Sequence, residues 1–278
     1  MLALAVAALG FVVSGAPAPS ATSSGTDNPV TVIATPTALS VMPPVSTMAS
    51  APVVPGYKLV FDDEFTHPGI DDKRWSTSLA WGNTNPGEAQ YYTPDALSVN
   101  KGVLTMTMRR QDKAGRQFTS GVIASSGRFS FKYGRAEIRA KLPSGTGLWT
   151  AFWLLAHVPG GNEEIDVFEV LGSNPKKTYA VLHYGTFTNR GKEVKSLTGP
   201  DFSAGYHTFA VDWEPNALIW YVDGAEMFRV TDNIPANPMY IVTNLSVGTP
   251  GSWAGPPDGN TAFPSQYAVD YIRVYQRK

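Results

Sequence analysis

The sequence predicts an all-β fold, a two-sheet sandwich of antiparallel strands of the jelly-roll kind. Many short runs are rich in β-branched and aromatic residues, and 26 Gly and 22 Pro punctuate the 278-residue chain. No convincing amphipathic helix of ten or more residues interrupts these runs. Apolar and charged residues alternate from Arg135 to Leu142, as expected for an antiparallel strand with one face in solvent.

The β-rich runs follow one another from Tyr57 to the end of the chain. Asp223-Gly224 separates two of these runs and predicts a β-hairpin. The runs span 103–110, 135–142, 148–156, 164–171, 178–185, 207–214, 217–224, 239–248 and 267–276.

Three segments are expected along the chain. Residues 1–17 begin with the apolar run "MLALAVAALGFVV" followed by small residues, a pattern that predicts a secretory signal and an extracellular protein, with an apolar tail of no targeting role as the alternative. Residues 18–55 are rich in Pro, Thr, Ser and Ala with almost no charge, which favours a disordered linker. Residues 56–278 then form the folded domain.

Composition and charge limit the possible functions. A net charge of −1 gives no electrostatic footprint for nucleic acid or anionic lipid, so neither a nucleic-acid partner nor a membrane partner is expected. With no cysteine, the chain has no disulfide, no thiolate metal site and no thiol nucleophile. Aromatic residues make up 12% of the chain, which suits a sugar-binding cleft and suits a large sandwich core equally well. A monomer is expected.

A cluster of carboxylates in "EEIDVFE" (163–169) raises the central functional question. Side chains alternate between the two faces of a strand, so Glu164 and Asp166 share a face. Glu169 would fall on the opposite face of a regular strand. A β-bulge that absorbs one extra residue would return it to the same face, and bulges are over-represented beside active sites.

Two carboxyl groups about 5–5.5 Å apart are what a retaining glycosidase requires. One Glu would attack the anomeric carbon, and the other would protonate the leaving oxygen and later activate water. Asp166 between them could share a proton with a neighbour and so set which Glu is ionised. Exposed strands also carry carboxylates for solubility, and the spacing alone favours that simpler explanation.

Several sequence blocks resemble glycoside hydrolase family 16, the endo-glucanases of the laminarinase and lichenase kind. This resemblance favours the catalytic explanation of the carboxylates over the solubility explanation. The blocks are "KLVFDDEF" (58–65), "WGNTNPGEAQYYT" (81–93), "SGVIASSGRFSFKYGRAEIRAKLPSGTGLWTAFWLL" (120–155), "EIDVFEVLG" (164–172), "LHYGT" (182–186), "FAVDWEPNALIWYVDG" (209–224) and "NLSVGTPGSWAGPPDGNTAFPSQYAVDYIRVYQ" (244–276).

The resemblance implies a concanavalin-like jelly roll with a concave cleft, Glu164 as nucleophile, Asp166 as helper and Glu169 as acid/base. The expected function is secreted, retaining endo-hydrolysis of β-1,3- or mixed β-1,3/1,4-glucan. The alternatives are an endo-hydrolase of agarose or carrageenan, a transglycosylase, and a non-catalytic carbohydrate-binding module. The module would be expected to lack one of the three carboxylates, and all three are present.

Further residues are candidates for binding sugar. Trp149 and Trp153 lie four positions apart and share a strand face, where two flat rings could stack on successive sugars or instead pack in the core. The resemblance favours Trp149 as a cleft residue. His183 would lie on the next strand near Asp166 or Glu169 and tune their protonation, with a purely structural histidine as the alternative.

The loop blocks supply the remaining candidates for the cleft. Asn83, Glu88 and Gln90 correspond to polar groups that bind sugar hydroxyls in the family, although this chain carries the extra residues "TNPG" within that block. Asn244 and Trp253 match cleft positions of the C-terminal block.

No catalytic cofactor is expected, since the four His are scattered along the chain. The resemblance implies a possible structural Ca²⁺ site at Glu64, Gly102 and Asp270, built from the oxygen ligands that this ion requires. The alternative is that Asp270 only bonds to the backbone.

Overall fold

The computed structural model of the chain describes residues 54–156, 162–186 and 188–278. The predicted signal (1–17) and nearly all of the predicted linker (18–55) lie outside the described residues. Two antiparallel β-sheets dominate the fold, with one short 3-10 helix, Pro94–Ala96, between strands. The predicted jelly-roll sandwich is therefore confirmed. Within the described residues, no helix has both the length and the apolar character needed to cross a bilayer.

The larger sheet contains ten strands, and β16 lies at its centre. The main path runs β14-β13-β12-β7-β16-β4-β5-β2, while β1 also pairs with β16 and β3 with β4. The short β2–β5 contact is the one parallel pairing among the described strands. The strands are β1 (Tyr57–Asp63), β2 (Gln90–Tyr92), β3 (Leu97–Asn100), β4 (Val103–Lys113), β5 (Arg116–Ser120), β7 (Gly134–Lys141), β12 (His207–Glu214), β13 (Ala217–Val222), β14 (Ala225–Val230) and β16 (Ser265–Arg277).

The smaller sheet has six strands in the order β11-β10-β9-β8-β15-β6 and carries the carboxylate segment on β9. Its strands are β6 (Val122–Ala124), β8 (Leu148–Ala156), β9 (Glu164–Leu171), β10 (Lys177–Gly185), β11 (Arg190–Thr198) and β15 (Met239–Val247). All of its pairings are antiparallel. The predicted hairpin is confirmed, since Asp223 and Gly224 connect β13 to β14 with φ of 49° and 81°.

The main hydrophobic core fills the space between the two sheets. Phe168 of β9 and Phe209 of β12 meet there with ring centroids 4.3 Å apart. Trp213 and Trp220 of the larger sheet are fully buried in the same core. The inner face of β9 is thus packed against the larger sheet, which leaves its other face available for polar side chains.

A second, smaller core lies on the outer face of the smaller sheet. There the chain between β1 and β3 covers β15 and β6, and Leu79 and Tyr92 pack against Tyr240 and Val242. The uncovered part of this outer face, on β8, β9 and β10, is called the site face below. It is bordered on the β15 side by this covering segment.

The opposite border of the smaller sheet is the edge strand β11, which is mostly exposed. Its side chains include Lys192, Lys195 and Arg190, together with Val194 at 45% exposure. Charged side chains, lysine above all, protect an unpaired strand edge from association with other chains. The site face is therefore closed on one side and open on the other.

Candidate active site

Strand β9 carries a β-bulge between the catalytic candidates. On neighbouring β8, Ala151 pairs with Glu169 and Trp153 pairs with Asp166. Ala151 and Trp153 are two positions apart, whereas Asp166 and Glu169 are three apart, so β9 contains one extra residue. Val167 is that residue, because Phe168 still pairs with Phe152 of β8. The predicted bulge is confirmed.

The second neighbour of β9 shows the same displacement. On β10, Tyr179 pairs with Glu169 and Val181 pairs with Asp166, with the shift in register between them. His183 pairs with Glu164 farther along the strand. Directly paired residues of adjacent strands share a face, so the bulge places all three carboxylates on the site face.

An inter-sheet hydrogen bond holds the backbone beside the bulge. The Trp220 indole Nε1 of β13 donates to the Asp166 carbonyl oxygen at 2.9 Å, and both groups are buried. A buried carbonyl without a partner costs about 1–3 kcal/mol. Trp220 therefore ties the strand that carries the carboxylates to the opposite sheet.

The carboxylates and His183 form a compact group. Asp166 is 3% exposed, and its Oδ2 lies 3.4 Å from the His183 Nε2. The Glu164 Oε1 lies 3.9 Å from the same nitrogen. One ligand atom from each of these three residues lies within 4.8 Å of the other two. The structure thus brings His183 to Asp166, one of its two predicted neighbours, and also to Glu164, which was not predicted.

Burial and mutual repulsion both raise the pKa values of the carboxyl groups. Burial, reinforced by the Asp166 charge, raises the pKa of Glu164 to about 8, and burial raises the pKa of Asp166 to about 7. The pKa of Glu169 is raised well above its usual value by burial and by the charges of the other two carboxylates. The Glu164 side chain remains 31% exposed, so water screens part of this effect. Protons therefore remain on the cluster near neutral pH.

Glu169 is held by an indole at one end of the site face. The Trp149 Nε1 donates to the Glu169 Oε1 at 3.1 Å. Trp149 also meets Trp253 edge-on, with ring centroids 5.5 Å apart, and Tyr179 meets Trp253 at 4.8 Å. Trp253 is 43% exposed. The predicted Trp149 and Trp253 thus form an aromatic group beside the acid/base candidate.

Trp153 lies on the same face, directly opposite Asp166. Its Nε1 donates to the Asn244 Oδ1 at 2.9 Å, and its ring lies 6.2 Å from that of Trp81. The indole is partly exposed. Two alternatives were predicted for Trp153, core packing and stacking on sugar. The structure has features of both, because the ring lies on the site face and also contacts the second core.

The polar candidates from the sequence lie farther below the surface. Gln90 is 0% exposed, and Glu88 and Asn244 are also buried. Asn83 donates from its Nδ2 to the Tyr92 carbonyl at 3.0 Å and so closes its own loop. The polar atoms of these residues bond to other protein groups, and their direct contact with sugar stays a prediction.

The predicted calcium ligands do not form an available cation site. The Glu64 carboxylate accepts two hydrogen bonds from Arg273, at 2.7 and 2.9 Å, and Asp270 is paired with Arg139 at 2.5 Å. Gly102 lies in the turn between β3 and β4. Both carboxylate charges are thus already paired with guanidinium groups, so these side chains as arranged do not fit the free anionic ligands that the ion prefers.

Comparison with known proteins identifies the family. The sequence profile of "Glycosyl hydrolases family 16" matches residues 86–273. This chain belongs to glycosyl hydrolase family 16. It is 33% identical over 255 residues to the "Beta-glucanase" of Rhodothermus marinus, covering 80% of this chain and 86% of that protein. It is 31% identical to the "Glucan endo-1,3-beta-glucosidase A1" of Niallia circulans, covering 82% of this chain and 39% of that longer protein.

Solved structures of the family share the fold. The laminarinase catalytic domain of Thermotoga maritima MSB8 superposes with a TM-score of 0.70 at 33% identity, covering 80% of this chain and 99% of that one. The endo-β-1,3-glucanase of Pyrococcus furiosus gives a TM-score of 0.70 at 31% identity, covering 80% and 95% of the two chains. The predicted family, the fold class and the activity of a glycoside hydrolase are confirmed.

Several residues of this family 16 site were not found by sequence reasoning. Tyr179 reaches Trp253, and Tyr92 and Ser246 connect the buried polar candidates. Strand alternation could have placed Ser246 on the face of Asn244. Trp220 gave no signal of its role, because its strand belongs to the other sheet.

A matched pair of tryptophan variants tests the inter-sheet hydrogen bond. Trp220→Phe removes the donor to the Asp166 carbonyl, whereas Trp213→Phe removes an equally buried indole bond, to the Pro235 carbonyl at 3.0 Å, that does not involve β9. Both variants should lower the free energy of unfolding by about 1–3 kcal/mol in denaturant titrations.

Only Trp220→Phe should also lower kcat for glycan hydrolysis, by roughly tenfold, because a loosened bulge misplaces the carboxylates. Equal loss of kcat in the two variants would show that the bond to Asp166 serves stability alone.

Replacing Glu164 by Gln should change how stability depends on pH. The raised pKa of Glu164 means that the native state holds its proton more tightly than the unfolded chain. The wild type therefore loses stability as pH rises from about 4.3, the unfolded value, toward 8. The Glu164→Gln variant escapes this loss, and relative to wild type it should gain about 1 kcal/mol or more between pH 4 and pH 8 in denaturant unfolding.

The control variant is Glu137→Gln, whose carboxylate lies on the larger sheet and is paired with Arg135 at 2.9 Å. It should show no such gain. If Glu164→Gln also shows none, the ionised Glu164 is not destabilised in the native fold.

Proposed function

We propose that this chain is a retaining endo-hydrolase of β-1,3- or mixed β-1,3/1,4-glucan, with Glu164 as nucleophile and Glu169 as acid/base. The bulge at Val167 carries the proposal, because without it Glu169 would face the core while Glu164 faces the sugar. The named family relatives are β-glucanases and laminarinases, which supports the same substrate class.

The protonation states support this division of roles. Glu169 has its pKa raised by burial and by two neighbouring carboxylates, as a general acid requires. Its bond from the Trp149 indole leaves one oxygen for the proton that it delivers to the leaving group. The Glu164 side chain is 31% exposed and lies at the far end of the carboxylate row.

Asp166 takes up the proton that Glu164 must lose before it can attack. Burial raises the pKa of both Glu164 and Asp166, so these neighbouring carboxyl groups retain a proton that either of them can hold. His183, 3.4 Å from Asp166, is positioned to influence that transfer.

The reaction then proceeds in two displacements. The Glu164 carboxylate attacks the anomeric carbon while Glu169 donates its proton to the departing glycosidic oxygen, which yields a glycosyl ester and a shortened glucan. In the second step ionised Glu169 takes a proton from water, and the water oxygen displaces Glu164 from the same carbon. Two inversions leave the product with the starting β configuration.

A second substrate class, an anionic polysaccharide, is favoured by the open border of the site face. Lys192 pairs with His183 across β10 and β11, and the Lys177 ammonium lies 5.1 Å from the Tyr179 ring centroid. One relative is named "Keratan-sulfate endo-1,4-beta-galactosidase", at 29% identity. Lysines also occur on edge strands as protection against association, and the glucan proposal remains the stronger one.

We further propose that the protein is secreted. The support is the apolar run at the start of the chain followed by small residues. A polymeric glucan outside the cell would be the matching substrate.

Variants of the two glutamates test the mechanism. Glu164→Gln and Glu169→Gln should each lower kcat on laminarin by roughly 10³-fold or more, because each removes a group that acts in the transition state. Glu137→Gln should retain wild-type kcat. Proton NMR of the first product released by wild type should show the β anomer. Release of the α anomer, or ordinary turnover by Glu164→Gln, would contradict the proposal.

Parallel digestion tests the substrate class. Laminarin and lichenan should be cut to short oligosaccharides, read by chromatography, with agarose and carrageenan left intact. Faster cleavage of carrageenan than of laminarin would favour the anionic class. Monosaccharide as the sole product would contradict endo action.

A further inference from the structure

A continuous hydrogen-bonded path connects the Trp153 indole to the buried carboxylate of Glu88. The Trp153 Nε1 donates to the Asn244 Oδ1 at 2.9 Å. The Asn244 Nδ2 contacts the Tyr92 hydroxyl at 3.0 Å and the Ser246 hydroxyl at 2.7 Å. Both hydroxyls reach Glu88, at 2.8 Å from Tyr92 and 3.1 Å from Ser246.

Chemistry fixes the direction of the hydrogen bonds at the Trp153 end of this path. An indole N–H can only donate, so the amide oxygen of Asn244 must face Trp153 and its NH₂ must face the two hydroxyls. Tyr92 and Ser246 then accept from Asn244, and each hydroxyl proton can go to Glu88 or to the other hydroxyl, 3.0 Å away. In either arrangement at least one of the two hydroxyls donates to Glu88.

Glu88 accepts further hydrogen bonds. The Gln90 Nε2 donates to its Oε2 at 2.5 Å, and the Asn85 Nδ2 donates to its Oε1 at 3.2 Å. Four donor groups thus surround one buried carboxylate, a set that favours the ionised form. Burial raises the pKa of Glu88, while these hydrogen bonds oppose the increase.

We propose that Glu88 is a positioning residue, which acts through Tyr92, Ser246 and Asn244 to fix the Trp153 indole as the floor of the sugar site. This inference rests on the proposed function for its effect on glucan, although the link from Glu88 to the indole does not. Trp153 lies directly opposite Asp166, so its ring plane sets where a sugar can lie relative to the carboxylates.

The position of Glu88 gives it this role in place of direct contact with sugar. The residue is 4% exposed, and its neighbours Gln90 and Tyr92 are both 0% exposed. Its backbone is anchored as well, since the Arg116 Nη1 donates to the Glu88 carbonyl at 2.6 Å. The carboxylate is thus a fixed terminus for the path, with the indole as its other end.

The variant Glu88→Gln keeps the shape of the side chain and changes only its donors and acceptors. A glutamine has one acceptor oxygen, and its NH₂ would face two of the four donors whichever way it turns. The hydroxyl that meets this NH₂, from Tyr92 or Ser246, would have to accept from it and turn its own proton toward the other hydroxyl, 3.0 Å away, so that one of the two links to residue 88 is reversed. The variant should therefore loosen the Asn244 amide and, with it, the indole.

Two readouts test the proposal, and the first needs no activity. In ¹H–¹⁵N spectra, the indole N–H signal of Trp153, assigned by its loss in Trp153→Phe, should move or broaden in Glu88→Gln. It should move in the same direction, by less, in Ser246→Ala, which removes one of the two relays. The signal should stay in place in Glu137→Gln and in Ser265→Ala, which make the same chemical changes on the larger sheet.

The second readout is the kinetics on laminarin. Sugar stacking on a misplaced ring weakens ground-state and transition-state binding alike, so KM should rise about 3- to 10-fold in Glu88→Gln with kcat within about twofold. The two control variants should keep both constants. Calorimetric binding of a laminarin oligosaccharide in a Glu164→Gln background should weaken by the same factor.

The outcomes separate this inference from the proposed function. If the wild type neither binds nor cuts glucan, the proposed function fails, and the indole signal alone decides whether Glu88 positions Trp153. An indole signal unchanged in both Glu88→Gln and Ser246→Ala overturns the proposal. A moved signal with KM equal to that of the controls overturns it as well. If Glu88→Gln does not fold, Ser246→Ala decides.

Discussion

One extra residue in β9 is the constraint on which the rest of the site depends. Val167 lies between two pairs of directly opposed residues and has no partner on β8. A strand with regular alternation would bury Glu169 against Phe209 and leave Phe168 in solvent. The bulge instead keeps both Val167 and Phe168 in the core and returns Glu169 to the site face. Catalytic geometry and core packing are therefore satisfied by the same irregularity.

Each sheet contributes to keeping this strand in place. The larger sheet supplies the buried Trp220 bond to the Asp166 carbonyl, and the smaller sheet supplies neighbours on both sides of β9. On the site face, two indole groups also form hydrogen bonds, Trp149 to Glu169 and Trp153 to Asn244. Burial raises the carboxyl pKa values, and ionisation of these groups therefore lowers the stability of the native state. The site thus combines a rigid frame with a cluster of groups that is destabilising when fully charged.

The sequence predicted the fold and the shared face of Glu164 and Asp166 because both follow short-range rules, whereas the catalytic roles of the carboxylates came from the family resemblance. Alternation alone puts Glu164 and Asp166 on one face, and strand runs with Gly and Pro between them predict a sandwich. The bulge was inferred from what the chemistry requires, since two apolar residues, Val167 and Phe168, look the same in either register. The burial of Glu88 could not be predicted: a glutamate in a loop rich in Asn, Gly and Pro resembles a solvent-exposed residue until the fold brings Tyr92 and Ser246 to it. The family resemblance implied Glu64 and Asp270 as cation ligands, and their ion pairs with Arg273 and Arg139 could not be predicted because only the fold brings these residues together.

The most direct measurement is to trap the glycosyl-enzyme ester. The reagent is a β-laminaribioside that carries fluorine at C2 of the reacting glucose and an activated leaving group at its anomeric carbon. The fluorine slows the second displacement, so the ester accumulates. The labelled residue would then be located by peptide mass spectrometry. The account predicts one sugar per chain, attached to Glu164 in the peptide that contains Asp166 and Glu169. A label on Glu169 or Asp166, or complete inactivation without any covalent sugar, would contradict it.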